Sequence, residues 1–197
     1  MIYRVPKTES LAALTIDDSP FASSTPVILD VLERVGAKAT FFVIGSNVPG
    51  NEALLERIVQ MGHEIGNHML RDFPSHRLSL GCFQDEFLQT DTILRKFTSC
   101  LRWFRPGSGR FTPTMLEMIR GFGYEAVLGD VYPFDPHVPL VKFTSEVILR
   151  ATLPGSIIIL HDGLTRGLRT ATVLNRAMPS LKGVGYRFVT LSNLVSD

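Results

Sequence analysis

Short β-branched or aromatic runs alternate with amphipathic stretches along the whole chain, and this alternation most constrains the fold. Leu11 to Ile16, Ala39 to Ile44, Leu101 to Phe104, Glu125 to Leu128, Ser156 to Leu160 and Tyr186 to Leu191 read as strands. His63 to His68 is a shorter strand-like piece. Between them apolar residues recur at helical spacing, over about Pro26 to Val35, Asn51 or Glu52 to Met61, Leu80 to Phe97, Thr112 to Ile119, Lys142 to Thr152 and Thr170 to Lys182. Pro179 should kink the last of these. Repeated βα units with short connections imply an α/β fold: a mostly parallel sheet with helices outside, as a barrel or a doubly wound sheet. No linker or low-complexity stretch divides the chain, so residues 1–197 are expected to form one domain.

Composition narrows the function classes. A net charge of +1 and the lack of any Lys/Arg cluster argue against a nucleic-acid partner. The apolar run Ile157 to Leu160 is far too short to span a bilayer. No basic, apolar leader opens the sequence, so no signal peptide is expected in it, and the compartment is left open. Cys82 and Cys100 cannot build a disulfide framework; they form one bridge or stay reduced.

The chemistry-bearing residues fall at predicted strand ends, where sites of α/β folds gather. Asp17-Asp18 follows the first strand, with Ser19-Pro20 expected to turn the chain. Neighbouring strand residues point to opposite faces, so the two carboxylates should diverge unless the chain turns there. Paired acids at such an end suit a site in which one binds a cation and the other takes a proton from water. His68 and Asp72 have four-residue spacing and would share a side if their segment made a helical turn. Arg105, Asp130 with Asp135, and His161-Asp162 complete the set. Each has an ordinary structural reading as a cap, a turn residue or a core histidine. Their conjunction is what points to a site.

In order and spacing this set resembles the polysaccharide deacetylase family, the chitin-deacetylase or NodB-like carbohydrate esterases. Thr15-Ile16-Asp17-Asp18-Ser19-Pro20 is similar to the family's Thr-Phe-Asp-Asp-Gly-Pro, and His68-Met69-Leu70-Arg71-Asp72 to its His-Ser/Thr-x-x-His. Arg105-Pro106-Gly107-Ser108-Gly109 resembles Arg-x-Pro-Tyr-Gly. Asp130 to Pro136 loosely matches an Asp-x-x-Asp-Trp-like loop, and Leu160-His161-Asp162 matches Leu-His-Asp. The resemblance covers roughly residues 10 to 195 and implies a single-domain distorted (β/α) barrel. It also implies a hydrolase removing N-acetyl groups from chitin-like polymers or oligomers of N-acetylglucosamine. Asp17 would be the general base and His161 the acid. Arg105 would hold Asp17, Asp135 would tune His161, the Ser108 N–H would meet the oxyanion, and Leu160 would line the acetyl pocket. Asp18, His68 and Asp72 would bind one divalent metal, zinc first, with cobalt, nickel or manganese as substitutes.

Three departures accompany the resemblance. Asp72 stands where the family has a second histidine, with His76 a lower-ranked substitute because Pro74 disrupts the turn. Ser108 follows Gly107 where a Tyr is usual, and Pro136 replaces a Trp, leaving Tyr132 or Phe134 to fill the space beside His161. Two other functions follow from these departures: a carbohydrate-binding relative that has lost activity, and a de-O-acetylase of an acetylated glycan such as xylan. The sequence assigns no oligomeric state.

Overall fold

A computed structural model describes residues 1–196. Its strands are β1 (Leu11–Ser19), β2 (Ala39–Val43), β3 (Glu64–Asn67), β4 (Trp103–Phe104), β5 (Glu125–Ala126), β6 (Ile157–His161) and β7 (Arg187–Val189). The helices are α1 (Thr25–Arg34), α2 (Glu52–Gln60), α3 (Leu80–Leu94), α4 (Pro113–Gly121), α5 (Val141–Ala151), α6 (Leu164–Gly183) and α7 (Leu191–Ser196). The sheet runs β5-β4-β3-β2-β1-β6 with every pairing parallel, and β7 pairs with the first residues of β1. The curl closes only through single bridges. Val131 pairs with Ile158, while the N-terminal segment crosses the gap through Ile2 to Val127 and Arg4 to Ser156. The result is the distorted, incompletely closed barrel expected.

Two apolar clusters divide along the period-two alternation of the strands. Ala12, Leu14, Ile16, Phe41, Val43, Ile65, Phe104 and Leu160 pack outward with the apolar faces of α1, α2, α3 and α6. Leu11, Ala13, Phe42, Trp103, Val127 and Ile157 pack together with Leu191 and Leu194 of α7. α7 thus stops the barrel at the N-terminal ends of its strands, leaving the other end open for a site. It is anchored there by Leu191 N–H to Thr40 Oγ1 at 2.9 Å and by Ser192 with Trp103 Nε1 at Glu64.

Two elements depart from the sequence expectation. α7 was not foreseen, because six residues are too few to show a helical period. α6 starts at Leu164 instead of about Thr170 and runs 20 residues through Pro179. Gly163 at φ 111° lets the chain turn from β6 straight into helix, and residues 165–169, with no apolar periodicity of their own, occupy its first turns. The cysteines are free and exposed.

Candidate active site

β1 does not end before its acids. All nine of its residues are buried, and its register against β2 slips between Asp17, opposite Phe42, and Ser19, opposite Val43. Asp18 is the extra residue of this bulge, at φ 70°, with its carbonyl held by Asn47 Nδ2 at 2.9 Å. The bulge, and not a turn at Ser19-Pro20, brings both carboxylates to the same open end of the barrel. Extra residues in strands re-aim side chains in this way.

Arg105, 2% exposed, sits beneath Asp17. Its guanidinium donates to Asp17 Oδ1 at 2.5 Å, Thr15 Oγ1 at 2.8 Å, Val127 O at 3.2 Å and Leu128 O at 2.9 Å, and lies over the Phe42 ring. A buried carboxylate needs such a partner, and the fork of donors fixes its orientation as well as its charge. Opposite, Asp17 is in register with His161 of β6. Asp135 accepts from the His161 backbone N–H at 3.0 Å and lies 3.0 Å from Nδ1, which leaves Nε2 free for the cavity. Burial alone would lower the His161 pKa, but Asp135, Asp17 and Asp18 outweigh it and hold the imidazole above its ordinary value. Tyr132 packs edge-on against the ring.

The second half of the cavity centres on Asp18. His68 Nδ1 is 2.8 Å from Arg105 O, so Nδ1 carries a proton and Nε2 turns to Asp18 Oδ1, 3.4 Å away. Asp18 Oδ2 accepts from Arg166 Nη2 at 2.7 Å. Burial would raise the Asp18 pKa, yet His68, His161 and Arg166 hold it below the usual carboxylate value. Asp17, Asp18, His68, Asp72, Arg105, Ser108, Ile159 and His161 line one cavity of about 650 Å³, with Arg77, Arg110 and His137 also on its wall.

Residues 4–127 match the family model for polysaccharide deacetylases. The chain belongs to this family. It is 33% identical over 195 residues, 98% of this chain and 92% of the other, to a peptidoglycan-N-acetylglucosamine deacetylase of Bacillus cereus. Among solved structures it superimposes on a peptidoglycan N-acetylglucosamine deacetylase with a TM-score of 0.93, 28% identity and coverage of 99% and 92%. It also matches a CE4 family pseudoenzyme from Bacillus anthracis, with a TM-score of 0.87, 27% identity and coverage of 98% and 68%. A mutant of that protein has restored enzymatic activity.

Polysaccharide deacetylase residues proposed from sequence distribute unevenly over the observed site. Leu160 is a correction: it is fully buried in the outward, helix-facing core, and Ile159, on the same strand face as His161, lines the cavity instead. Ser108, at φ 59°, lies on the cavity wall beside Gly107. A Cβ at Gly107 would come within 2.2 Å of Phe73 O, so this close approach requires glycine. Asp130 faces β6, accepting from Ser156 Oγ and Ile157 N–H, and is structural. Asp162, fully buried, accepts from Ser19, Ser24 and Thr25 hydroxyls and ties β6 to the start of α1.

The metal implied by the family finds an incomplete donor set here. The segment after His68 makes no helical turn, because Met69 takes φ 71° with its N–H on Asn67 Oδ1. Asp72 is exposed on the cavity wall, and among the described residues no three His, Cys, Asp or Glu side chains converge on a point that could hold a metal. Asp18 and His68 supply two donors, and Arg166 holds the second oxygen of Asp18. These residues do not fit a three-ligand metal centre. Arg166 was missed from sequence because it lay ahead of the predicted helix. A helix begun directly after Gly163 would have put it in the first turn, four residues after Asp162.

Proposed function

We propose that this protein is an amide hydrolase that removes N-acetyl groups from an N-acetylglucosamine-containing cell-wall glycan. One observation carries the reading: Asp17, locked by Arg105, stands in strand register with His161, locked by Asp135, at the mouth of one cavity. Two titratable groups held apart in environment and together in space suit proton transfer in opposite directions. Asp17 takes a proton from water as its oxygen adds to the acetyl carbonyl carbon. The resulting oxyanion lies toward the Ser108 backbone N–H. His161 then gives its Nε2 proton to the sugar nitrogen as the C–N bond breaks, leaving acetate and a free amine. Raised basicity of His161 keeps that proton available near neutral pH.

Arg77 and Arg110, exposed on the cavity wall, favour a glycan bearing carboxylates, as peptidoglycan does, over neutral chitin. A second reading, a glycan-binding relative without turnover, is favoured by the Arg166–Asp18 pair. Acetate release from peptidoglycan strands and from chitin oligomers distinguishes them. The expected result is release from both, faster from peptidoglycan, and a loss of roughly 10²–10⁴-fold for Asp17→Asn. Glycan binding with no acetate from either polymer would establish the second reading.

A further inference from the structure

We propose that the Arg166 guanidinium is the resident cation of this site, pairing Asp18 where a divalent ion would otherwise sit, so that the protein holds far less than one zinc per chain. The inference rests on the deacetylase reading only in locating the site.

Three observations carry it. Both oxygens of Asp18 are already matched, Oδ1 by His68 Nε2 at 3.4 Å and Oδ2 by Arg166 Nη2 at 2.7 Å. The guanidinium is fixed at its other end as well, its Nε donating to Asp162 O at 2.8 Å. Asp162 is itself immobilised by the Ser19, Ser24 and Thr25 hydroxyls and the Gly163 N–H, just ahead of the helix whose first turn carries Arg166. Arg166, its side chain 28% exposed, is therefore held at both ends, on Asp18 and on an Asp162 fixed by a buried network. Lastly, a metal would need a third protein donor, and neither Asp72, exposed on the cavity wall, nor His76, on the same wall with its Nδ1 buried and unpartnered, joins Asp18 and His68 in a converging group of three.

A metal entering at Asp18 would have to displace Arg166 from Oδ2 and then endure its charge a few ångströms away. Like charges at that distance in a partly buried site oppose one another by enough to change affinity on the order of tenfold or more. A neutral residue at 166 should relieve this.

The test is calorimetric titration of zinc, without glycan, into chelator-stripped wild-type protein and the variants Arg166→Gln and Arg166→Lys. Circular dichroism checks that each is folded. The expected order is weak, substoichiometric uptake by wild type and Arg166→Lys, and binding on the order of tenfold tighter for Arg166→Gln. The comparison of Gln with Lys at 166 decides, because lysine keeps the positive charge that glutamine lacks. Tight uptake of one zinc per chain by wild type would overturn the proposal. So would equal affinities for wild type and Arg166→Gln, or equal gains for Gln and Lys. Since uptake is read without substrate, an absence of acetate release is a separate result bearing on the function alone.

Discussion

The two halves of the cavity are built differently. Asp17 and His161 are the last inward-facing residues of adjacent parallel strands, each with a buried partner behind it. Asp18, His68 and Asp72 come from a bulge, a strand exit and an exposed bend, and only the first two meet. The first half inherits its geometry from the sheet, whose register cannot slip without exposing β1. The second depends on local backbone choices, at Asp18 and Met69, that a single neighbouring residue such as Arg166 can redirect. The geometry of the Asp17–His161 half can therefore persist in this fold while that of the Asp18 half drifts.

The sharpest way to break that comparison is at Arg105. Arg105→Met removes the donors to Asp17, Thr15, Val127 O and Leu128 O together, and leaves Asp17 charged, buried and unpaired. Removing one partner of a buried pair costs about 3–5 kcal/mol. Urea denaturation should show a loss of that size, and acetate release should fall below detection. Arg105→Lys keeps the charge without the fork and should recover part of the stability but little of the rate. A methionine variant as stable as wild type would mean that the first half is not held as described.

Next in size is Asp135→Asn, which leaves the packing but removes the carboxylate from His161. In the proposed mechanism the catalytic form of His161 is the imidazolium, so activity is lost as pH rises through its pKa. Burial lowers that pKa, and Asp135 is the foremost group raising it above the ordinary value. Without the carboxylate the pKa falls, and the alkaline limb of the kcat profile should move to lower pH. At neutral pH kcat should drop about tenfold, with KM little changed. An unmoved alkaline limb would assign the proton to another group.

What the sequence made legible follows the same division. Continuous apolar runs in Leu11 to Ile16 and Ser156 to Leu160 located the strands, and strand ends located Asp17, Arg105 and His161. Yet alternation also required Ile159, and not Leu160, to share the face of His161, a consequence the motif match obscured. The bulge at Asp18 was invisible because only its tertiary setting, with Asn47 on the carbonyl, makes a positive φ affordable to an aspartate. The spacing of His68 and Asp72 suggested one face of a helical turn; Asn67 caps Met69 N–H and takes the chain elsewhere. Arg166 required knowing where α6 begins, and helix starts without a capping side chain leave little trace in sequence.

The smallest expected effect is at Asp72, and it bears most directly on the second half. If Asp72 completed a three-ligand centre, Asp72→Ala would remove a metal ligand and abolish activity as thoroughly as Asp17→Asn. In the observed arrangement Asp72 is exposed on the cavity wall, away from Asp18 and His68 as a donor group. Its loss should then act only through solvent-screened charge on the wall, which is worth at most about 1 kcal/mol. Steady-state acetate release should change by less than about fivefold, with the change in KM, and should shrink as salt is added. A loss of several hundredfold in kcat would show that the bend from Met69 to Phe73 closes over Asp18 during turnover, and the two halves would then be parts of one preorganised centre.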